Sequence, residues 1–182
     1  MKMTSRLLAA VVLGASLIGS AQAQSTKIVN KNLGYVIRKD PITDVNTSYI
    51  VMFEVNDTEG YTGFRLRCVD GGKPNPWGVF FGKNEIMPYD SPDQDDHLWP
   101  EVIIRMGTDA PFTVPSADLY GITDETSEIG FDGVTFDRIV AGFIAGKKMV
   151  IRFSGDHLRQ PLTYTFSAQG FNQAWQGVKA CK

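Results

Sequence analysis

FDRIVAGFIAGKKMVIRFSG, residues 136 to 155, changes its hydrophobic period half-way and decides the fold class. In its first half, the apolar residues recur at helical spacing and share one face: Phe136, Ile139, Val140, Phe143 and Ile144. Thr135 is suited to cap the start of this helix and Gly146 to end it. From residue 148 onward, KMVIRFSG is typical of a strand. A helix that leads directly into a strand predicts a domain that mixes the two.

The C-terminal end of the chain repeats both patterns in reverse order. LTYTFSAQG (162–170) alternates apolar and polar residues and predicts a strand. FNQAWQGVKAC (171–181) follows, and its apolar side chains return at helical spacing.

Between the strands at 148–155 and 162–170, SGDH (154–157) contains a Ser, an Asp and a His. Triad members are usually brought together by the fold rather than by adjacency, so we interpret SGDH as a turn.

The rest of the chain upstream predicts strands. GFRLRCV (63–69) has a period of two that places Cys68 on the core face. Further strands are predicted in five segments: 35–44, 48–55, 77–82, 98–106 and 112–122. The last of these is broken by Pro115, which is typical of an edge strand. The order predicts an α+β fold, with an antiparallel β-rich sheet or sandwich and two helices near the C-terminus.

Residues 1–23 have the features of a secretory signal peptide. Lys2 and Arg6 precede an apolar run, and Ala21 and Ala23 stand at the small-residue positions of a cleavage site. The apolar run is shorter than the roughly 20 residues that a resident membrane helix needs. We therefore expect an exported soluble protein, periplasmic or secreted, with no membrane span and with residues 24–182 as one globular β-rich domain.

The charge of the mature chain excludes some classes of partner. Without the two basic residues of the signal peptide, 16 basic and 20 acidic residues remain, a net charge of −4. A mildly acidic domain without a basic stripe is a poor nucleic-acid binder. It also has no strong attraction to anionic membrane surfaces.

Cys68 and Cys181 are the only cysteines of the chain. An even number of cysteines in an exported protein predicts a disulfide. A redox pair usually has a Cys-x-x-Cys spacing, and this chain lacks it. We therefore predict a structural bond that joins the last turn of the chain to an early strand.

DSPDQDDHLW (90–99) is the most chemically suggestive segment. It contains four carboxylates and a histidine: Asp90, Asp93, Asp95, Asp96 and His97. An EF-hand loop would add a glycine and a closing glutamate, and zinc would need more nitrogen or sulfur ligands. We interpret the segment as a solvated loop, keep weak calcium binding by the four aspartates and catalysis by its carboxylates as the alternatives, and expect no cofactor.

Aromatic residues near this segment are candidates for a glycan or peptide surface. Phe80 and Phe81 are adjacent, so they must face opposite sides of a strand. Aromatic residues are more often part of a core, but here one of the two rings is either covered or available to a partner. The candidate binding surface consists of Trp77, Phe81, Tyr89 and Trp99.

From Phe136 onward the chain resembles the small exported proteins of the VasI kind, which are associated with type VI secretion. The resemblance rests on the helix with GFI.GK, the strand KMVIRF and the ending YTFSAQGFNQAWQGVKAC with its terminal cysteine. FRLRC at 64–68 matches an earlier strand of that family. The resemblance implies a non-enzymatic accessory protein of the cell envelope, and it transfers no catalytic residue.

Three functions are compatible with these patterns. The first is a non-catalytic binding or accessory protein of the cell envelope, with a protein or another envelope component as its partner. It is favoured because the sequence has no metal quartet, nucleophile motif or phosphate loop. The alternatives are a carboxylate-dependent hydrolase that acts on envelope glycans and a calcium-stabilised adhesion module.

Overall fold

A computed structural model describes residues 24–68, 76–87, 99–122 and 126–182 of the chain. Every strand pair within these ranges is antiparallel. The strands are β1 Ser25–Asn30, β2 Leu33–Ile37, β3 Tyr49–Phe53, β4 Gly63–Arg67, β5 Trp77–Phe81, β6 Glu101–Met106, β7 Phe112–Thr113, β8 Leu119–Gly121, β9 Glu128–Phe131, β10 Met149–Ser154 and β11 Leu162–Phe166. The helices are α1 Gly133–Ile144 and α2 Phe171–Gly177. The predicted α+β class is confirmed; the predicted signal peptide at 1–23 lies outside the described residues.

The strands form two sheets whose inner faces share one core. The larger sheet has seven strands in the order β1-β2-β3-β4-β5-β9-β8, and the smaller has four in the order β11-β10-β6-β7. Phe80 of β5 joins the two sheets, because its ring lies 4.7 Å from that of Phe153 and 6.4 Å from that of Phe166. All three rings are fully buried, so this contact lies at the centre of the sandwich.

The helices add their apolar faces to the same core. Phe136, Ile139 and Phe143 of α1 are buried, as the period of the sequence predicts. Phe171 of α2 stacks on Phe143 with ring centroids 5.0 Å apart. Ile144, which we also assigned to the buried face, is 42% exposed at the last position of α1.

The beginning of α1 differs from the sequence prediction. The helix begins at Gly133, so Thr135 lies inside its first turn and does not cap it. The cap comes from a distant residue, because Oδ2 of Asp118 accepts a hydrogen bond from the backbone N–H of Thr135 at 2.9 Å. A side chain 17 residues earlier thus satisfies one of the free donors of the first turn.

Other element boundaries also need correction. The strand predicted within 35–44, with its end at Pro41, ends at Ile37. The helix predicted at 171–181 ends at Gly177 and is followed by a 3₁₀ turn over Lys179–Cys181. Strands β1 and β9 were not predicted. The turn predicted at 154–157 is confirmed, since β10 ends at Ser154 and the chain turns before β11.

The predicted disulfide between Cys68 and Cys181 is confirmed. Cys68 is buried at the end of β4, and the two Cα atoms lie 4.7 Å apart. The side-chain amide of Asn46 also holds the C-terminus, because it donates hydrogen bonds to the carbonyls of Val178 and Lys182 at 2.8 and 3.2 Å. The last residues are therefore fixed against the larger sheet.

Candidate functional site

Two of the four predicted binding residues, Trp77 and Phe81, lie together on the larger sheet. We call the side of this sheet that is turned away from the core the outer face. Successive side chains of a strand point to opposite sides. Phe80 is buried on the inner side of β5, so the odd-numbered residues of this strand, Trp77 and Phe81 among them, lie on the outer face. The residues of the outer face that concern us are Tyr49, Val51 and Phe53 of β3, Arg65 and Arg67 of β4, Trp77, Val79 and Phe81 of β5, and Tyr120 of β8.

The register of β4 and β5 brings two arginines to these two aromatic residues. Arg67 pairs with Trp77 across the strands, and the Cζ atom of Arg67 lies 5.2 Å from the centroid of the Trp77 ring. The Cζ atom of Arg65 lies 5.2 Å from the centroid of the Phe81 ring. Both distances are within the range of a cation–π interaction. The outer face therefore carries two arginine–aromatic pairs side by side.

Further aromatic residues hold these pairs in place. Phe53 meets Phe81 edge to face, with ring centroids 6.5 Å apart and an interplanar angle of 89°. Tyr120 lies against Trp77, with ring centroids 5.2 Å apart. Such contacts fix ring orientation because aromatic pairs have preferred geometries. The guanidinium groups of Arg65 and Arg67 consequently lie over aromatic rings whose orientation is already fixed by neighbouring rings.

The two arginines form no salt bridge with a described residue, and the carboxylate on their face is that of Glu128, which pairs with Phe81. The salt bridges between described residues are Lys39–Asp44 and Lys147–Asp109, and neither includes Arg65 or Arg67. Burial lowers the pKa of Arg67, and the nearby charge of Arg65 lowers it further, against a smaller opposing effect of Glu128. A carboxylate brought to this face by a partner would therefore gain a favourable interaction with both guanidinium groups.

Three glycines shape the surface of the outer face. A side chain at Gly63 would overlap the ring of Phe81, and one at Gly130 would overlap the ring of Tyr120, so each glycine is covered by an aromatic ring. Gly34 of β2 differs. Among the described residues, only backbone atoms lie within 4 Å of the position of a Cβ there. Its cross-strand neighbours are Ile28, which is 65% exposed, and Val51.

Of the predicted binding residues that the structure describes, Trp99 lies apart from this surface. Trp77 is 8% exposed and the guanidinium of Arg67 lies over its ring, so its role in binding stays a prediction. Trp99 precedes β6 and packs partly buried against the core. Tyr89 lies outside the described residues, as do Asp90, Asp93, Asp95 and Asp96 of the predicted acidic loop.

Sequence reasoning missed Arg65 and Arg67 as functional candidates. Their alternation with Phe64 and Leu66 predicted only that they face away from the core. The signal that could have found them is the combination of two arginines on one strand face with the aromatic residues of WGVFF (77–81) on the next strand. That signal becomes informative only when the register of the two strands is known.

A concave region lies beyond the C-terminal end of β5, after Phe81. It encloses about 650 Å³ between residues 83–87 and 157–162. Lys83, Arg159 and His157 line it together with one carboxylate, that of Glu85, among the described lining residues. Nε2 of His157 lies 2.9 Å from the carbonyl oxygen of Ile86, so the backbone already engages this ring. The described lining offers no carboxylate pair of the kind that glycoside hydrolysis usually employs.

The described part of the chain contains no group of three or more His, Cys, Asp or Glu side chains that could hold a metal ion. The four aspartates of the calcium alternative lie outside that part, so weak calcium binding stays a prediction. Among the helices of the described residues, none is long and apolar enough to cross a membrane.

Comparison with protein-family models, with curated proteins and with solved structures found no match to this chain. The resemblance to exported proteins of the VasI kind therefore stays a prediction.

Proposed function

We propose that this chain is an exported, non-catalytic binding protein of the cell envelope whose partner docks on the outer face. The observation that carries the proposal is the pair of stacked arginines, Arg65 on Phe81 and Arg67 on Trp77, without a carboxylate within salt-bridge distance among the described residues. Arginine, tryptophan and tyrosine are the residues most enriched at the energetic centres of protein interfaces. All three types meet on this face.

Preorganisation of the surface also supports a binding role. Ordering long side chains on association costs roughly 0.5–1.5 kcal/mol for each one. The guanidinium groups of Arg65 and Arg67 already lie over aromatic rings. Less conformational entropy is then lost when a partner arrives.

The disulfide supports an extracytoplasmic location. Bonds such as Cys68–Cys181 form and persist in oxidising compartments and are rare in the cytosol. This agrees with the secretory features of residues 1–23. Together they support export, with the periplasm or the exterior of the cell as the place of action.

Site-specific cross-linking in cells that make the protein tests the proposal. A photoreactive phenylalanine analogue at Tyr49, on the outer face, should give a discrete cross-linked product. The same analogue at Thr163, an exposed position on the smaller sheet, should not give that product. The product should disappear in the double variant Arg65→Gln/Arg67→Gln.

A matched control separates the effect of position from that of charge. Arg105 and Arg152 are exposed on the outward side of the smaller sheet, so Arg105→Gln/Arg152→Gln removes the same charge elsewhere. The cross-linked product should persist in this variant. A product that survives Arg65→Gln/Arg67→Gln, or that forms equally well from Thr163, would refute docking on the outer face. Circular dichroism would verify that each variant is folded.

A further inference from the structure

We infer that the partner is a protein whose binding segment places an aromatic or large apolar side chain on Gly34 and carboxylates beside Arg65 and Arg67. This inference rests on the proposed function and specifies the chemistry of the partner. It follows from a contrast among the three glycines of the outer face and from the charge beside them.

The contrast lies in what covers each glycine. The chain supplies its own ring to two of them, Phe81 to Gly63 and Tyr120 to Gly130. Gly34 has only backbone within 4 Å of a Cβ position among the described residues, and the exposed Ile28 stands beside it. The result is a shallow apolar notch with Ile28 and Val51 as its walls. A ring or a branched side chain from outside would fill it as Phe81 fills the space at Gly63.

The register sets the distance between this notch and the backbone of Arg65. Gly34 pairs with Val51, and Val51 pairs with Arg65, so the three residues lie in one row across β2, β3 and β4. Two strand spacings amount to about 10 Å. Side chains seven residues apart on a helix are about 10.5 Å apart along its axis. The guanidinium of Arg65 lies over Phe81 on the next strand, so it is farther from the notch than this backbone spacing. A helical segment with an aromatic residue and a carboxylate seven or more residues away would therefore reach both features.

Other occupants fit the outer face less well. A second copy of this chain, docked face to face with the two-fold axis at the arginines, would bring Arg65 and Arg67 against their own counterparts, and like charges at an interface are costly. A glycan needs a bare aromatic ring, but the Phe81 and Trp77 rings each carry a guanidinium. An anionic membrane surface is recognised by clusters of basic residues, whereas this face has two arginines and the acidic Glu128 nearby.

Selection from a displayed library of random 16-residue peptides (length on the order of four helical turns) tests the inference directly. The probe is the library, and the target is immobilised protein with its disulfide intact. Enriched peptides should contain at least one aromatic or large apolar residue together with acidic residues. A synthetic peptide of the enriched sequence should bind at least about tenfold more weakly to Arg65→Gln/Arg67→Gln, and with unchanged affinity to Arg105→Gln/Arg152→Gln.

Two variants examine the notch separately from the charge. Gly34→Val fills the notch from within, and its Cβ would lie 3.2 Å from the carbonyl oxygen of Lys27 and 4.0 Å from the Cα atom of Ile28. Ile28→Ser removes one wall at an exposed position and places no demand on packing. Both should weaken binding of the enriched peptide by about tenfold or more. Thermal unfolding would establish that each variant retains its fold.

Several results would overturn the inference. One is enrichment of peptides without acidic residues. Another is enrichment of acidic peptides that bind Gly34→Val and Ile28→Ser with the same affinity as the unaltered protein. The third is no enrichment at all. Binding of polygalacturonate that is lost in Arg65→Gln/Arg67→Gln would assign the face to an acidic glycan instead. If any of these occurs while the Tyr49 cross-link still depends on the arginines, only the inference about partner chemistry fails and the docking face stands.

Discussion

The ring of Phe81 occupies the space beside Gly63 in which any side chain at position 63 would begin. The two residues pair directly across β5 and β4. The same ring carries the guanidinium of Arg65 on its face. One glycine therefore determines where an aromatic ring lies and, through that ring, where a charge on the outer face is held.

We predict that Gly63→Ala destabilises the fold and disturbs the Arg65–Phe81 pair. The new Cβ would overlap the Phe81 ring and lie 2.9 Å from the carbonyl oxygen of Met52, which cannot move without bending β3. Overpacking of this kind typically costs about 1–3 kcal/mol. The free energy of unfolding from denaturant titration would measure this cost.

Gly34→Ala is the matched control for this prediction. It also adds a methyl group to a glycine on the outer face, but its closest neighbour is the Lys27 carbonyl at 3.2 Å. We expect a smaller change than for Gly63→Ala. Equal effects of the two substitutions would mean that the Phe81 ring is not held against position 63.

The extent to which this structure could be predicted from sequence depends on the range of the interactions concerned. The helix at 133–144 was predictable because its own period marks its buried face. The strand β1, STKIVN at 25–30, was not, since an exposed edge strand needs few apolar residues. The strand β9, EIGF at 128–131, was missed because it is short and its Gly130 is covered by the ring of Tyr120.

The candidate site also depends on interactions between strands that a local sequence pattern does not predict. The alternation in GFRLRCV predicted which way Arg65 and Arg67 face, because that depends on one strand only. Their stacking on Phe81 and Trp77 depends on the pairing of β4 with β5, across a connection that local pattern does not determine. Disulfide pairing was predictable at long range only because two cysteines allow a single bond.

The disulfide should contribute a large share of the stability. Cys68→Ala/Cys181→Ala is expected to lower the free energy of unfolding by about 2–5 kcal/mol, as for other native disulfides that close long loops. Lys179, Ala180 and Cys181 have φ values of 57°, 50° and 57°, a left-handed conformation that is unfavourable for residues other than glycine. We expect these residues to detach when the bond is absent, with faster amide hydrogen exchange at Val178 to Lys182.

Asn46→Ala is a useful comparison for the disulfide variant. It removes the two hydrogen bonds to the carbonyls of Val178 and Lys182 but leaves the covalent bond in place. Its effect on stability should be clearly smaller. An unaltered protein that melts at the same temperature with and without reductant would contradict the structural role of the bond.

Asp118 should stabilise the first turn of α1. Its carboxylate accepts the N–H of Thr135 at 2.9 Å, and an acidic group near a helix N-terminus also interacts favourably with the helix dipole. Asp118→Ala is expected to cost about 1 kcal/mol, as for the loss of other caps. Asp118→Asn retains an acceptor oxygen and should cost less. Thermal unfolding of both variants would distinguish these outcomes, and equal losses would show that the hydrogen bond contributes nothing.

Asp57 should make stability depend on pH on the acidic side. Burial raises the pKa of this carboxyl, but hydrogen bonds from the backbone N–H groups of Thr62, Glu59 and Gly60 outweigh it and hold the pKa below the ordinary value of 3.8. A carboxyl whose pKa is lower in the folded protein stabilises the fold above its unfolded pKa, and this stabilisation is lost as the pH falls through the folded pKa.

The comparison of the unaltered protein with Asp57→Asn isolates this effect. The variant keeps an acceptor oxygen for the turn at 57–62 but cannot titrate. Between about pH 5 and pH 2, the free energy of unfolding of the unaltered protein should fall more steeply than that of the variant, and the difference between them should be constant above that window. Urea titrations at a series of pH values would measure both curves. Parallel curves throughout the window would mean that the charge of Asp57 does not stabilise the turn.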